Sequence, residues 1–526
     1  MKISTKCCKF FLMIQKKLNV RRKILLLEDL KIKIEILKLK KKIILCHGVF
    51  DLLHAGHIKH LIKAKSLGDI LVVSLTKNEF IDKGPNRPYF DLKQRMDSIA
   101  SLECVDFVTC SNKDSALDVL QKIKPAIYCK GNDYKSVKND LSKKIIYEKK
   151  ILEKFKGKLV FTNEDHFSSS KILNNYNLSL NKDQEKFLKK VSLKKDINIK
   201  KIFENLKKQK MLVLGEIIID KYTFCDPLGK SGKDPIMMFS KEKDEIFLGG
   251  AGAISNHSAQ FSNNVKLLTM VGETNSYLNF IKKKISKNIK VFFHKKKSSP
   301  TIEKQKYLDK VTLNKIVGFY KFNDEMISAI DENKTYKQTK NLLNKSSILL
   351  ISDYGHGFIS KNFAKKLSRL RNFTALNSQV NAANSGTHSI NKYSNIDLVI
   401  INETELRNEL RNKEDKLEAL MSKISSLYNF KILVVTRGKE GAVLFNKKIK
   451  KFFFCPAFSE NVVDKIGSGD AMLAVLALAY KITNDDEVSL LLGSLAAAQQ
   501  VQIIGNKNSV DSLKLIKTFK HLINSI

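Results

Sequence analysis

Two short stretches of the chain place chemically able side chains where a helix should begin. In the run from Cys46 to His57, Gly48 follows an apolar tetrad, and His54 and His57 bracket Gly56 at the start of the next periodic segment. Residues three apart share a helical face. The two imidazoles can therefore donate to the same phosphate oxygens as charge develops during phosphoryl or nucleotidyl transfer. Gly56 permits close backbone approach to a ligand, and a helix N-terminus adds unpaired N–H groups and a positive dipole. A metal pair or surface histidines would account for His57 and His60 as easily. Far downstream, Gly467, Ser468, Gly469 and Asp470 precede an apolar segment that reads as a helix. Such a turn offers successive N–H groups to an anion. Asp470 is then placed to take the proton of a hydroxyl attacking the γ-phosphate of ATP. An ordinary N-cap aspartate is the alternative.

These residues need a scaffold, and the sequence predicts two of them. Strand-like runs occur at Ile43–Cys46, Ile70–Thr76, Val105–Cys110, Ala126–Gly131 and Lys158–Thr162, separated by helical stretches beginning near Ala55, Asp91 and Ser115. That alternation is the βαβ pattern of a parallel sheet with helices on both faces. A second α/β run starts at Met211–Asp220 and continues through Val265–Gly272, Ser347–Gly357, Ile396–Glu405 and Lys431–Gly441. The halves share no internal repeat, so two different domains are expected, at 23–180 and 210–526. The Lys-rich segment 181–209 is expected to be a helical linker. The basic stretch 1–22 is expected to be a disordered extension, or in part to precede a true translation start at Met13.

Composition narrows the function classes. A chain of 526 residues with 43% hydrophobic and 28% charged residues has ample core and is not a largely disordered protein. No apolar run reaches the ~18–20 residues of a transmembrane helix. None of the 8 cysteines forms a C-x-x-C pair, which points to reduced thiols and a cytoplasmic protein. The formal charge of +41 would suit a polyanion. However, the lysines run along the whole chain, Trp is absent and Pro counts only 7, as AT-rich coding would produce, so no specific nucleic-acid partner is expected.

The N-terminal half resembles the cytidylyltransferase-like nucleotidyltransferases. It carries their GxFD…HxGH element as Gly48, Phe50, Asp51, His54, Gly56 and His57, followed by Lys83–Pro88, Arg95, Lys130–Tyr134 and Phe167–Ile172. The resemblance implies a Rossmann-like domain in which His54 and His57 stabilise the reacting α-phosphate, with Lys83 beside them. It also implies that Arg95 contacts phosphates, and that Lys130, Asp133, Ser168, Ser169 and Ser170 close over the nucleotide. Asn163 stands near where glycerol-phosphate members have an arginine, a departure that weighs against that substrate.

From Met211 onward the chain resembles the ribokinase-type (PfkB) carbohydrate kinases. Gly215–Asp220 matches their opening strand, Gly249 and Gly250 their substrate loop, and Asn402 with Glu405 their N-x-x-E element. Thr436, Gly438 and Gly441 match the loop lining the nucleotide, and Asp464 through Asp470 matches D-T-x-G-A-G-D with Lys465 and Ser468 as departures. The resemblance implies ATP as a substrate, Asp470 as base, and an anion hole at Gly467, Ser468 and Gly469. Asp220, Gly249, Gly250, Lys304 and Asp464 would hold the sugar, and Mg²⁺ would lie near Glu405, with no prosthetic group.

The pairing resembles the bifunctional heptose-phosphate kinase/adenylyltransferases of ADP-heptose synthesis, with the domain order reversed. Ala253 and Ala375–Gln379 depart from the heptose-kinase pattern and leave the sugar open. ATP or CTP is the expected second nucleotide, a sugar phosphate its partner, and a homodimer the expected assembly. A polyol-phosphate cytidylyltransferase joined to an unrelated kinase, and a non-catalytic nucleotide-binding protein, are the alternatives.

Overall fold

The computed structural model describes residues 20–81, 88–131, 144–162, 180–194, 198–343, 347–459 and 462–524. The chain divides into two compact units between Ser179 and Leu180.

The first unit is a five-stranded sheet of β1 (Ile43–Gly48), β2 (Ile70–Thr76), β3 (Phe107–Ser111), β4 (Ile127–Gly131) and β5 (Lys158–Thr162), in the order β3-β2-β1-β4-β5. All four pairings are parallel. Strands β1 and β2 read as continuous apolar runs because helices cover both faces. One face buries Ile44, Cys46 and Val73 against α2 (Ala55–Lys65) and α3 (Leu92–Ala100), and the other buries Leu45 and Tyr128 against α1 (Leu27–Leu37). The direction of winding reverses between β1 and β4, and in such sheets ligands bind beyond the carboxyl ends of the strands at that point. Residues 20–22, expected in a disordered extension, belong to this unit: Val20 packs on the core, and Lys23 Nζ donates to Leu102 O at 3.0 Å.

The second unit is built on β6 (Lys210–Lys230), which serves two sheets. Its first part, through Glu216, lies between β8 (Asn264–Thr274) and β12 (Ile348–Asp353) in a main sheet. That sheet extends outward on one side to β9 (Ile289–Pro300). On the other it extends to β13 (Thr374–Ser378), β14 (Leu398–Asn402), β15 (Ile432–Thr436), β16 (Ala442–Asn446) and β17 (Lys451–Cys455). From Ile217 on, β6 pairs instead with β7 (Met237–Gly250) and β10 (Glu303–Asp309), and β10 carries the edge strand β11 (Lys315–Lys321). Strands β7 and β11 are largely exposed, β10 (EKQKYLD) is charged and part-buried, and none of the three was anticipated from apolar runs.

The segment expected as a linker folds into this unit. Helices α4 (Lys182–Ser192) and α5 (Ile199–Lys208) bury Phe187, Leu188, Val191, Phe203 and Leu206. Phe203 lies 6.3 Å from Phe261, Gln184 Nε2 donates to Ala457 O, and Lys194 pairs with Asp485 at 2.6 Å. Burying a large apolar side chain is worth ~1.5–3 kcal/mol, so the lysines form only the outer face of two docked helices. Three helices that begin at or carry site residues start directly behind strands or turns. Helix α6 (Ala251–Ala259) follows β7, α7 (Glu403–Leu410) follows β14, and the apolar α8 (Ser468–Thr483) packs against α6.

Candidate active sites

In the first unit, the loop after β1 bends through left-handed backbone at Phe50 (φ 48°) and Leu52 (φ 55°), a conformation non-glycine residues seldom hold without tertiary support. The support comes from Asp51. It is 1% exposed, and its two carboxylate oxygens accept the N–H groups of Tyr89 (2.8 Å) and Phe90 (3.0 Å). The bend delivers His54 as the N-cap of α2, where its Nδ1 accepts the Gly56 N–H at 3.2 Å. An accepting Nδ1 puts the ring proton on Nε2. Burial holds the His54 pKa below its ordinary value, so the ring is a neutral donor at pH 7. His57 stacks on it, with centroids 3.8 Å apart and planes 27° from parallel, and meets the Phe50 ring edge-on at 5.4 Å. A Cβ on Gly48 would come within 3.1 Å of that same Phe50 ring. Gly48, Phe50, Asp51, His54, Gly56 and His57 thus form one constellation at the helix N-terminus.

One expected phosphate contact, Arg95, and one expected nucleotide contact, Lys130, are engaged within the protein. Arg95 is 1% exposed, and its guanidinium is engaged within the protein. Nε donates to Phe90 O, Nη1 to Val49 O and Thr76 O, and Nη2 to Thr76 O and Asn78 Oδ1, at 2.6–3.1 Å. All five donors of the fork are occupied, so Arg95 braces the histidine loop from beneath and has no N–H left for a phosphate. Lys130 is 7% exposed and lies 3.6 Å from Glu148, which also takes the Tyr128 hydroxyl and the Ala116 N–H. It is turned toward that carboxylate. Lys83, Asp133, Asn163, Ser168, Ser169 and Ser170 lie outside the described residues.

In the second unit Asp470 sits in the first turn of α8. The helix opens at Gly467 (φ 81°) with no side-chain cap, and a Cβ there would stand 2.1 Å from Asn506 Oδ1, so the turn demands glycine. Ser468 Oγ donates back to Lys465 O at 2.9 Å, which closes the same turn. The first-turn N–H groups of any helix lack intrahelical partners. Asp470 itself is no cap. Its Oδ1 accepts the Tyr354 hydroxyl at 2.7 Å, and burial pushes its carboxyl up to about 6. Asp220 pushes in the same direction, while the Tyr354 hydrogen bond and Lys304 oppose it.

Asp220 and Lys304 meet Asp470 because β6 and β10 run side by side in register, Lys304 opposite Asp220. Asp220 pairs with Lys306 at 3.1 Å, and a Cβ on Gly249 would stand 2.2 Å from its Oδ2. Gly250, at φ 57°, passes so close to β6 that a Cβ would lie 2.5 Å from Glu216 O. Lys304, 8% exposed, lies over the Tyr320 and Tyr354 rings at 5.1 and 5.7 Å. Asp464, expected against substrate, is instead a brace. Its carboxylate accepts from Tyr222 Oη, Lys315 Nζ, Gly505 N and Ile466 N at 2.7–3.2 Å.

Asn402, Glu405, Thr436 and Gly438 line one cavity of about 550 Å³. Asn402 and Glu405 form a capping box at the start of α7, and burial pushes the Glu405 carboxyl up to about 7. Gly441 is absent from the cavity wall. At φ 87°, with a would-be Cβ 2.1 Å from Cys455 O, it makes the tight return into β16. Sequence reasoning left Tyr354 and Glu216 without a role. The signals were Glu216 inside an apolar run and the likeness of Ser352, Asp353 and Tyr354 to heptose-kinase patterns, neither of which gave a role.

The model for pfkB family carbohydrate kinases matches residues 208–513. The chain belongs to that family. A cytidylyltransferase-like model matches residues 45–175, ahead of the kinase domain. The chain is also similar to bifunctional protein HldE of Geobacter metallireducens, with 44% identity over 96 residues, 18% of this chain and 20% of that protein. Against bifunctional protein HldE of a Nitratiruptor species the identity is 24% over 304 residues, 57% of this chain and 62% of that one. The chain thus spans less than two thirds of the length of these curated relatives. Among solved structures, Escherichia coli phosphofructokinase-2 superposes with a TM-score of 0.49 at 13% identity, over 60% of this chain and 99% of that one.

Proposed function

We propose that the chain is a bifunctional enzyme that makes a nucleotide-activated sugar. The kinase domain phosphorylates a sugar or sugar phosphate with ATP. The first unit transfers AMP or CMP from a nucleoside triphosphate to a sugar phosphate and releases pyrophosphate. An ADP-heptose-like product for a surface glycan fits the pairing best, by analogy with the HldE relatives. The observation that carries this reading is Asp470, a carboxyl poised near neutrality at an uncapped helix N-terminus, in a chain whose other unit places two stacked imidazoles at a second one.

In the kinase step the acceptor hydroxyl gives its proton to Asp470, and its oxygen bonds the γ-phosphorus. The bond from that phosphorus to the bridging oxygen breaks, and ADP leaves. The N–H groups at Gly467 to Gly469 would receive the anionic oxygens. In the transferase step an oxygen of the sugar phosphate attacks the α-phosphorus, the bond from that phosphorus to the α–β bridging oxygen breaks and pyrophosphate leaves, and His54 Nε2–H with His57 donates to the charge that builds there.

Magnesium fits as an ion carried on phosphate. The described residues contain no group of three His, Cys, Asp or Glu side chains able to hold a metal, whereas Glu405 faces the 550 Å³ cavity. One carboxylate plus substrate phosphates is an ordinary magnesium set. Bound there beside Glu405, it would neutralise phosphate charge.

The test is a product screen with ATP or CTP against a panel of sugars and sugar phosphates, with Asp470→Asn as control. That variant should lose phosphorylation by about 10²–10⁴-fold, the loss expected for a missing general base, while its melting temperature stays near the parent's, because Asn keeps the size of Asp and an Oδ1 that accepts the Tyr354 hydroxyl. Near-normal turnover would refute the assignment.

A further inference from the structure

Tyr354 is buried, 3% exposed, in the loop that follows β12, and every side of it is fixed. Its N–H donates to Glu216 Oε2 at 3.0 Å, and the same carboxylate takes the His356 N–H at 3.1 Å, so Glu216 shapes the loop. Its carbonyl accepts Asn384 Nδ2 at 2.7 Å and Asn381 Nδ2 at 3.2 Å. Its ring lies so close to the Gly250 backbone that a Cβ there would meet Cε2 at 3.1 Å. Asp353, immediately before it, is fully buried and held by Lys392 and the Tyr393 hydroxyl, each at 2.6 Å. This much order converges on one polar contact, the 2.7 Å hydrogen bond from the Tyr354 hydroxyl to Asp470 Oδ1.

We propose that Tyr354 is the positioning residue of the kinase base: it occupies Asp470 Oδ1, so that Oδ2 alone takes the acceptor's proton, and it keeps the carboxyl ionised in a desolvated site. The proposal rests on the kinase chemistry proposed above. The proton passes from the acceptor O–H to Oδ2, and the rest of the transfer proceeds as already described, with Tyr354 keeping its own proton throughout.

Among the described residues, three groups face Asp470. Tyr354 comes from the loop after β12, Asp220 from β6 and Lys304 from β10, and Lys306 on β10 partly offsets Asp220. Burial and Asp220 favour the protonated acid, which cannot act as a base, whereas the Tyr354 hydrogen bond and Lys304 favour the carboxylate. A hydrogen bond donated to the charged form lowers a carboxyl's pKa, and its removal raises it. Lys304 is itself buried and stacked on the Tyr354 ring, so its charge depends on the same platform.

The experiment titrates Asp470 directly in the full chain. Aspartate labelled at the carboxyl carbon gives one resonance that vanishes in Asp470→Asn and so identifies the residue without any acceptor. In Tyr354→Phe its midpoint should rise by at least about 1 pH unit. Replacing Tyr354 with 3-fluorotyrosine, a stronger donor of the same shape, should move it down, and this keeps the test open if the Phe variant folds poorly. With ATP and a heptose 7-phosphate as acceptor, the acid limb of kcat should follow the same displacement. The deficit of the Phe variant would then be about tenfold well below the midpoint and close at alkaline pH, with KM for ATP within about twofold of the parent. A midpoint unmoved in both variants would overturn the proposal while leaving the kinase assignment standing. Full turnover in Asp470→Asn would instead remove Asp470 as the base, and with it the reading on which the proposal rests.

Discussion

Arg95→Met separates a structural guanidinium from a phosphate-gripping one. The substitution keeps most of the volume but leaves four acceptors without their donor: Val49 O, Thr76 O, Phe90 O and Asn78 Oδ1. A buried acceptor left unsatisfied costs ~1–3 kcal/mol. Some of that is recovered where water can enter, so a loss of about 4 kcal/mol is expected for the first unit. For a domain of this size each kcal/mol lowers the melting point by ~2–4 °C, which gives roughly 8–16 °C. The loss should appear locally. Amides of β1 and β2 should exchange with deuterium up to about 10³ times faster, the same energy expressed as an opening constant. Arg95→Lys should rescue little, because a point ammonium cannot span acceptors arranged around a planar fork. The assay is hydrogen exchange with mass spectrometry, read on peptides from both units, alongside nucleotide binding. Suppose the Arg95→Met protein melted within about 2 °C of the parent, exchanged normally and bound nucleotide more than about tenfold worse. The guanidinium would then be a ligand-binding group, and this account would fail.

Three further outcomes follow from the geometry. His54→Ala or His57→Ala should cut pyrophosphate release by about 10²–10³, the usual loss for a transition-state donor, with sugar-dependent ADP formation near the parent level in a coupled assay. His60 shares a hydrogen bond with Thr162 Oγ1 at 2.7 Å, and burial together with Lys130 lowers its pKa to about 4. The unfolded chain then binds the proton more tightly, so stability is full above about pH 6.5 and is lost as pH falls toward 4, by about 2–3 kcal/mol; His60→Asn should flatten that slope in chemical denaturation of the first unit. Gly249→Ala would put a Cβ 2.2 Å from Asp220 Oδ2. Displacing the carboxylate proposed to hold the acceptor by about 1 Å can cost ~10²-fold, so kcat/KM for the acceptor should fall by about 10–100-fold while KM for ATP holds.

How much of this was legible in the sequence depends on the range of the cause. The helix starts at His54 and Asp470 could be read because glycine followed by apolar periodicity is a local signal. The strand before His54, β1, is a uniform apolar run for the same reason. The roles of Arg95, Lys130 and Asp464 could not be read, because their partners come from remote elements: Val49 and Thr76 for Arg95, Glu148 for Lys130, and Tyr222, Lys315 and Gly505 for Asp464. A basic or acidic residue in a phosphate-binding motif looks the same whether it faces the ligand or holds the loop that does. In 181–209 the signal was present but outvoted. Phe187, Leu188 and Val191 make an apolar stripe at helical spacing, and the surrounding lysines hid it.

The difference between the two sites follows from what each nucleophile needs. A sugar hydroxyl is a weak acid and must lose its proton as it attacks, so the proposed kinase step requires a base, and Asp470 would supply a carboxyl pushed up to about 6, close to the pH at which it must both release and receive protons. A sugar phosphate is already ionised at pH 7 and needs no base. The carboxylate nearest in sequence to the histidine pair is accordingly not offered to substrate, since both oxygens of Asp51 are closed by the backbone N–H groups of Tyr89 and Phe90. What that transfer needs is donors toward a phosphorus centre gaining charge, and a desolvated imidazole with its proton on Nε2 provides one without repelling its stacked neighbour. The two candidate sites share a helix N-terminus. They differ in whether the side chain placed there accepts a proton or donates a hydrogen bond.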